Sequence, residues 1–153
     1  MKHFLVLSMI LLGCVTACRN ETLAQHNGHL VNQTRQTVKT MKITVDSVVF
    51  TATLYDNPSA AAFQAMLPLR LDMSELNGNE KFYYFSDNLP VDAAIGGDIQ
   101  AGDLMLYGNN CLVLFYEGLQ SSYSYTKIGR IDDVNGLARA LGTGKVRVVF
   151  EAA

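Results

Sequence analysis

The side chains that carry most enzymatic chemistry are sparse in this 153-residue chain, and their spacing builds no complete constellation. Its three histidines are His3, His26 and His29. Ser122 therefore has no imidazole after residue 29 to act as its base, which argues against a Ser-His-Asp hydrolase. His26 and His29 stand in an H-x-x-H spacing, but two ligands do not complete a tetrahedral metal site, and their polar surroundings read as solvated linker. Cys111 sits alone in the apolar run Cys111-Leu112-Val113-Leu114-Phe115. A cysteine in that setting is a small buried hydrophobe before it is a nucleophile. Gly142-Thr143-Gly144-Lys145 lacks the spacing of a phosphate-binding loop, and it follows a helical segment where such a loop must feed one. No catalytic residue, metal or cofactor is assigned on these grounds.

Residues suited to binding are more evident. Tyr116, Tyr123 and Tyr125 lie among Ser121, Ser122 and Ser124. Amphipathic aromatics with small polar neighbours suit a peptide or a small ligand, although the same tyrosines also serve as packing with hydroxyls at a rim. Glu80 adjoins Lys81. The two read either as a surface ion pair, which stabilises little, or with Glu80 as a carboxylate at a pocket mouth. Arg70 lies on a strand face opposite a row of leucines.

Charge narrows the partners. The chain has 12 Lys and Arg against 14 Asp and Glu, a formal charge of −2. Such a balance disfavours nucleic acid, which calls for a basic face. At the N-terminus, Lys2 precedes the apolar run Phe4 to Gly13, too short to span a bilayer and fitting the h-region of a signal peptide. Val15-Thr16-Ala17-Cys18 follows, and small residues before a cysteine resemble the lipobox of bacterial lipoproteins, in which the thiol receives diacylglycerol before cleavage. The resemblance implies a signal peptide over 1–17, an exported mature chain and a lipid anchor on Cys18 in a bacterial cell envelope membrane. Diacylglycerol with an amide-linked chain supplies the more than one acyl chain that stable anchoring needs. An ordinary secretory signal cleaved near Ala17 is the alternative. Cleavage would remove Cys14 and lipid would consume Cys18, leaving Cys111 with no intrachain disulfide partner.

Residues 18–40 are polar and aperiodic, as expected of a flexible tether. From Met41 to the end, 41–153, the texture is that of one domain. Met41, Ile43 and Val45 alternate with polar residues, and Val48 to Tyr55 is β-branched and aromatic. They predict two strands joined at Asp46-Ser47. Asn57-Pro58 predicts a helix start, with Pro68 ending the segment. Leu67, Leu69, Leu71 and Met73 share one face of a strand, with Arg70 and Asp72 on the other. Lys81 to Phe85 predicts a strand and residues 86–102 a long connection. Asp103 to Tyr107 and Cys111 to Tyr116 flank the hairpin signal Gly108-Asn109-Asn110. Thr126 to Ile131 predicts a strand, Val134 to Leu141 a short helix capped by Asp132 or Asp133 and stopped by Gly142, and Lys145 to Glu151 a last strand. The total is about eight strands and two short helices. Eight strands can close into a filled barrel without exposed edges, and an open sheet packed by the helices is the alternative.

Several motifs occur in a telling order: Leu54-Tyr55-Asp56-Asn57-Pro58-Ser59-Ala60-Ala61-Ala62-Phe63, Leu67-Pro68-Leu69, Asn79-Glu80-Lys81, Ala101-Gly102-Asp103-Leu104-Met105-Leu106-Tyr107, Phe115-Tyr116, Ser122-Tyr123-Ser124-Tyr125-Thr126 and Ile128-Gly129-Arg130-Ile131. Together they resemble the bacterial cyclophilin-like domains over residues 41 to 151. The resemblance implies a mainly β fold, a closed eight-stranded cyclophilin-like barrel with two short helices. True cyclophilins are peptidyl-prolyl isomerases with an arginine in an open outer groove, and Arg70 stands on the comparable strand. The phenylalanine of their Phe-x-Arg pattern is replaced here by Leu-Pro-Leu-Arg, and the chain has no tryptophan. The expectation is thus an envelope lipoprotein domain that binds a small molecule or extended peptide, with weak isomerase activity on envelope proteins as the alternative and a structural role in an envelope complex as a third. The anchor makes the first testable expectation: Cys18→Ala releases the protein from membranes or leaves it unprocessed. A processed variant that stays membrane-bound after a high-salt wash would refute the anchor.

Overall fold

A computed structural model describes residues 39–153. The expected signal peptide, the lipid site Cys18, the pair His26 and His29, and all but the last two residues of the expected tether lie outside the described residues. The elements run β1 (Lys39–Val45), β2 (Val48–Leu54), α1 (Pro58–Ala65), β3 (Leu69–Leu76), β4 (Glu80–Tyr84), β5 (Ala94–Ile99), β6 (Asp103–Tyr107), β7 (Cys111–Phe115), β8 (Leu119–Ile131), α2 (Leu137–Leu141) and β9 (Val146–Ala152). The domain is mainly β with two short helices, and nine strands are described where about eight were expected. The addition is β5, inside the stretch read as a connection. Its centre is Gly96-Gly97, and the register with β8 shifts between Ile95 and Gly97. Glycine weakens the strand signal and marks a bulge.

The strands pair antiparallel in the order β2-β1-β9-β3-β4-β7-β6-β8-β5, and β2 pairs back onto β8. The pairings thus run ring-like through eight strands, with β5 appended as an edge. The return contact spans three residue pairs, Ala52 to Leu54 against Gly129 to Ile131. Gly129 is hemmed on both sides, since it also pairs with Leu104 of β6. A Cβ at this position would lie 2.7 Å from the Thr53 carbonyl oxygen, so only glycine lets β2 approach there.

Local chemistry explains the elements. Asn57 caps α1 by accepting a hydrogen bond from the Ala60 amide at 2.8 Å, with Pro58 in the first turn. β3 starts at Leu69, two residues later than the leucine pattern implied, because Pro68 has no N–H for a ladder. α2 is shorter than expected and begins after Gly136, with no side-chain cap. The aspartates expected to cap it are engaged elsewhere. Asp132 accepts from the Thr53 hydroxyl at 2.8 Å, and Asp133 from the Asn135 amide at 3.0 Å.

Two apolar clusters share the middle strands. The larger fills the ring, with Leu104, Leu106, Leu112, Leu114, Phe63 and Phe150 fully buried. Leu71 is buried too, whereas Leu69, grouped with it by the alternating pattern, is half-buried. The smaller cluster lies on the other face of the same strands and includes Ile99, Met105, Cys111, Val113, Phe115 and Tyr125. β7 is therefore buried along its whole length. β8 runs for 13 residues. Its second half pairs with β6 and β2, and its first half pairs with β5. From that first half and β5, Leu119 and Ile99 pack onto the outer cluster.

At one end of the interior lies a buried charge. Lys81 is fully buried. Its three ammonium hydrogens meet three acceptors: the Glu75 carboxylate, the Gly142 carbonyl at 2.9 Å and the Gly144 carbonyl at 2.6 Å. The Tyr116 ring centroid is 5.5 Å away. Glu75 also accepts from the Tyr116 hydroxyl at 2.8 Å and the Gly78 amide at 2.9 Å. The expectation of a surface pair between Glu80 and Lys81 is thus corrected: consecutive strand residues point to opposite faces, and Lys81 pairs inward with Glu75. Burial raises the Glu75 carboxyl, but Lys81, Tyr116 and Gly78 together hold it below its ordinary value of 4.5. Its contribution to stability is therefore present above that value and is lost as pH falls through the folded-state value. Removing one partner of a buried pair costs about 3–5 kcal/mol. Lys81→Met is expected to lower the unfolding free energy by about that much in denaturant titration, with partial recovery when Glu75→Gln is added. A loss under about 1 kcal/mol would show the clasp to be dispensable.

Candidate functional site

The alternation that turns Lys81 inward turns Glu80, Phe82 and Tyr84 outward. They face a cleft of about 390 Å3 on the outer side of β4, β7 and β6, which the first half of β8 overhangs. Register lays out its floor. Glu80 stands opposite Phe115, Phe82 opposite Val113, and Tyr84 opposite Cys111. Cys111 in turn faces Tyr107, and Tyr107 faces Tyr125. Four residue steps separate Glu80 from Tyr84, a run of roughly 13 Å along an extended strand. The cleft thus has a carboxylate end, an apolar middle and a tyrosine end. Asn79 lines the carboxylate end, and Gln120, Ser121 and Ser122 contribute neutral polar groups from β8.

The aromatic groups form contacts across strands. Tyr107 packs edge-on against Tyr123 at 6.0 Å between centroids and tilted against Tyr125 at 5.5 Å. Tyr125 meets Phe115 at 5.6 Å, and Phe82 meets Tyr84 at 5.8 Å. Such pairs hold ring positions beyond what area burial supplies. Leu76, Tyr84, Tyr107 and Tyr123 line this cleft and are exposed, Tyr123 at 64%. Exposed large apolar groups gathered at one concavity mark a binding surface more than scattered ones do.

Three of the five binding candidates meet here: Glu80, Tyr123 and Tyr125 all line the cleft. Tyr116 does not. It is buried in the interior cluster, and its hydroxyl serves Glu75. Burial, and then the hydrogen bond to Glu75, push that phenol up to about 12. Arg70 is exposed on β3 opposite Val149 and does not line the cleft. An isomerase groove centred on Arg70 would require that side chain among the aromatics. Cys111 lines the cleft floor as a thiol, its pKa raised chiefly by burial, so it is not poised as a nucleophile. Among the described residues, no three His, Cys, Asp or Glu side chains gather to hold a metal ion. Sequence reasoning missed Asn79 and Tyr107 as cleft residues. The available signal was the unbroken apolar run Cys111 to Phe115, since a strand buried on both faces implies a second packed layer.

A second cleft of about 420 Å3 lies between the start of α1, β5 and β8, and Tyr125 lines both. Its charged groups are Asp56, Asp92 and Lys127.

A ring-like β domain with two short helices and an aromatic cleft on its outer face defines the structural class. A profile described as the Cyclophilin-like family matches residues 43–151, and the chain belongs to that family. Comparison with curated proteins found no match. Among solved structures, the chain is similar to the solution structure of the hypothetical protein AF2241 from Archaeoglobus fulgidus. Identity is 19%, the TM-score is 0.54, and the match covers 76% of this chain and 95% of that one. That likeness concerns the fold alone.

The electrostatics of Glu80 give a test. Burial first, and then the negative charge of Glu75, push its carboxyl above the ordinary 4.5. Between that value and the raised one, the folded chain binds more protons than the unfolded chain. Stability therefore falls as pH rises through this window, and the cost is fully present above the folded-state value. Glu80→Gln is expected to raise Tm at pH 7, with the gain shrinking toward pH 4. A variant less stable than the parent at neutral pH would contradict the raised carboxyl.

Proposed function

We propose that this domain binds a small molecule or an extended peptide segment in the outer cleft. The observation that carries the reading is the meeting of exposed Tyr84, Tyr107 and Tyr123 with the buried carboxylate of Glu80 in one concavity. Ligand sites are concave, mostly apolar, and oriented by a few polar groups, and this cleft has that composition. The ring of strand pairings supports a closed eight-stranded barrel as the scaffold, a rigid base for such a site. The signal-like segment and Val15-Thr16-Ala17-Cys18 support export and lipid anchoring in a bacterial envelope, so the ligand would be met at a membrane surface.

A ligand screen by thermal shift on the full chain in detergent tests the reading. A ligand at a hundred times its Kd adds about 2.7 kcal/mol of stability. Tyr123→Ala is expected to weaken any hit by about tenfold, the loss of roughly 1.4 kcal/mol, and Arg70→Ala to leave it unchanged. Hits weakened by Arg70→Ala and untouched by Tyr123→Ala would move the site to β3. Acceleration of proline isomerisation that vanishes in Arg70→Ala would replace binding with catalysis as the function.

A further inference from the structure

The cleft is asymmetric in its unmet needs, and these define a ligand chemistry. Glu80 is more than nine-tenths buried, with 8% of its surface exposed. Among the described residues lining the cleft there is no lysine, arginine or histidine. The neighbouring lysine is not available, because Lys81 faces the interior and spends its three donors on Glu75, Gly142 and Gly144. Beside Glu80, the Asn79 side-chain oxygen is buried and makes no hydrogen bond with a protein group among the described residues. Buried polar atoms are ordinarily paired; the Asn79 oxygen is not, and the Glu80 carboxylate next to it faces a cleft with no cation among its described lining side chains, so a donor from outside would suit this end. Away from that end, the walls are Phe82, Tyr84, Tyr107, Tyr123 and Tyr125. Their ring faces carry partial negative charge and favour cations over anions.

The alternatives fare worse on the same residues. An anionic ligand would meet Glu80 with Glu75 behind it and no opposing side-chain charge. A neutral ligand would bury the Glu80 carboxylate further without a counterion, and burying an unpaired charge is costly. A cation satisfies Glu80 and Asn79 together through charge-assisted hydrogen bonds, which are about twice as strong as neutral ones.

We propose that the cleft selects ligands bearing an ammonium or guanidinium group, seated between Asn79 and Glu80, with an apolar or aromatic portion lying toward Tyr84 and Tyr107. The proposal rests on the binding function stated above and adds the charge and length of the ligand. The run of roughly 13 Å between the two ends matches about four residues of extended peptide or an elongated arylalkyl amine. A lysine or arginine side chain and a small organic amine offer the same chemistry.

Matched probes separate the sources and test the selectivity. One pair is 4-phenylbutylamine and 4-phenylbutanol. The other is a blocked tetrapeptide with tyrosine at one end and lysine at the other, in both orders, and its norleucine counterpart. Affinities are read by 15N-1H NMR titration of the full chain in detergent micelles, following the amides of residues 79–84 and 119–125. The charged member of at least one pair is expected to bind about tenfold or more tightly than its neutral partner, the factor that about 1.4 kcal/mol supplies. The pair that shows the preference identifies the source, and Glu80→Gln removes the preference while leaving neutral binding. Equal affinity within both pairs would overturn the charge selectivity and leave the cleft a binding site. A preference that survives Glu80→Gln would place the cation elsewhere and overturn the assignment. No perturbation of the cleft amides by any probe at millimolar concentration would overturn both this proposal and the binding reading.

Discussion

One ammonium group fixes the facing of a strand and, through it, both sides of the sheet. Lys81 has three donors and no acceptor, and its burial is tolerable because each donor finds an oxygen, one of them charged. Those oxygens come from β3 and from the connection between α2 and β9, so the group ties together segments far apart in sequence. Because side chains alternate along a strand, a one-residue slip of β4 would carry every side chain to the other face. It would move Lys81 into the outer cleft and Glu80 into the apolar interior, leaving both charges without their surroundings. The buried pair therefore specifies register, a role distinct from net stabilisation, which buried ion pairs supply only weakly.

With β4 fixed, the outer face is determined by its neighbours. Glu80, Phe82 and Tyr84 continue into Phe115, Val113 and Cys111 of β7, and Cys111 into Tyr107 of β6. This face would be an exposed apolar sheet, but β8 outruns β6. Its first seven residues, with β5, bring Leu119, Ile99 and Tyr125 onto the outer cluster. The same strand supplies Gly129, whose missing side chain admits β2 and returns the pairings to their start. β8 thus joins the ring at one end and roofs the cleft at the other.

The legible parts of the sequence were those governed by local rules. The alternation of Met41 to Val45, the cap at Asn57-Pro58, the turn at Gly108 and the stop at Gly142 each follow from backbone sterics or a nearby donor. Glu80, Tyr123 and Tyr125, singled out as candidates from their chemistry, meet in one cleft. The illegible parts depended on long-range partners. Lys81 reads as a surface residue because its acceptors lie more than 60 residues away in two cases. Tyr116 reads as a site tyrosine because its hydroxyl partner, Glu75, is 41 residues distant. β5 was hidden by its paired glycines. The Asp132 carboxylate looked like a helix cap because nothing local shows that Thr53 will claim it.

The two glutamates near Lys81 sit in opposite electrostatic situations. Glu75 and Glu80 are five residues apart, on opposite sides of the turn at Asn77-Gly78. Glu75 receives an ammonium, a phenol and an amide, and its carboxyl is held below the ordinary value despite burial. Glu80 is more buried, lies near the charge of Glu75, and its carboxyl is raised. Residues that destabilise the fold while facing a concavity are characteristic of sites kept for function. An internal cation at Glu80 would restore stability and remove the basis for recognition, because a carboxylate already paired discriminates little among ligands. Among the described residues lining the cleft no cation faces Glu80, so in the proposed reading a ligand would be the missing partner of this carboxylate. On that reading, the energetic cost of Glu80 in the free domain would be recovered as selectivity on binding a cation.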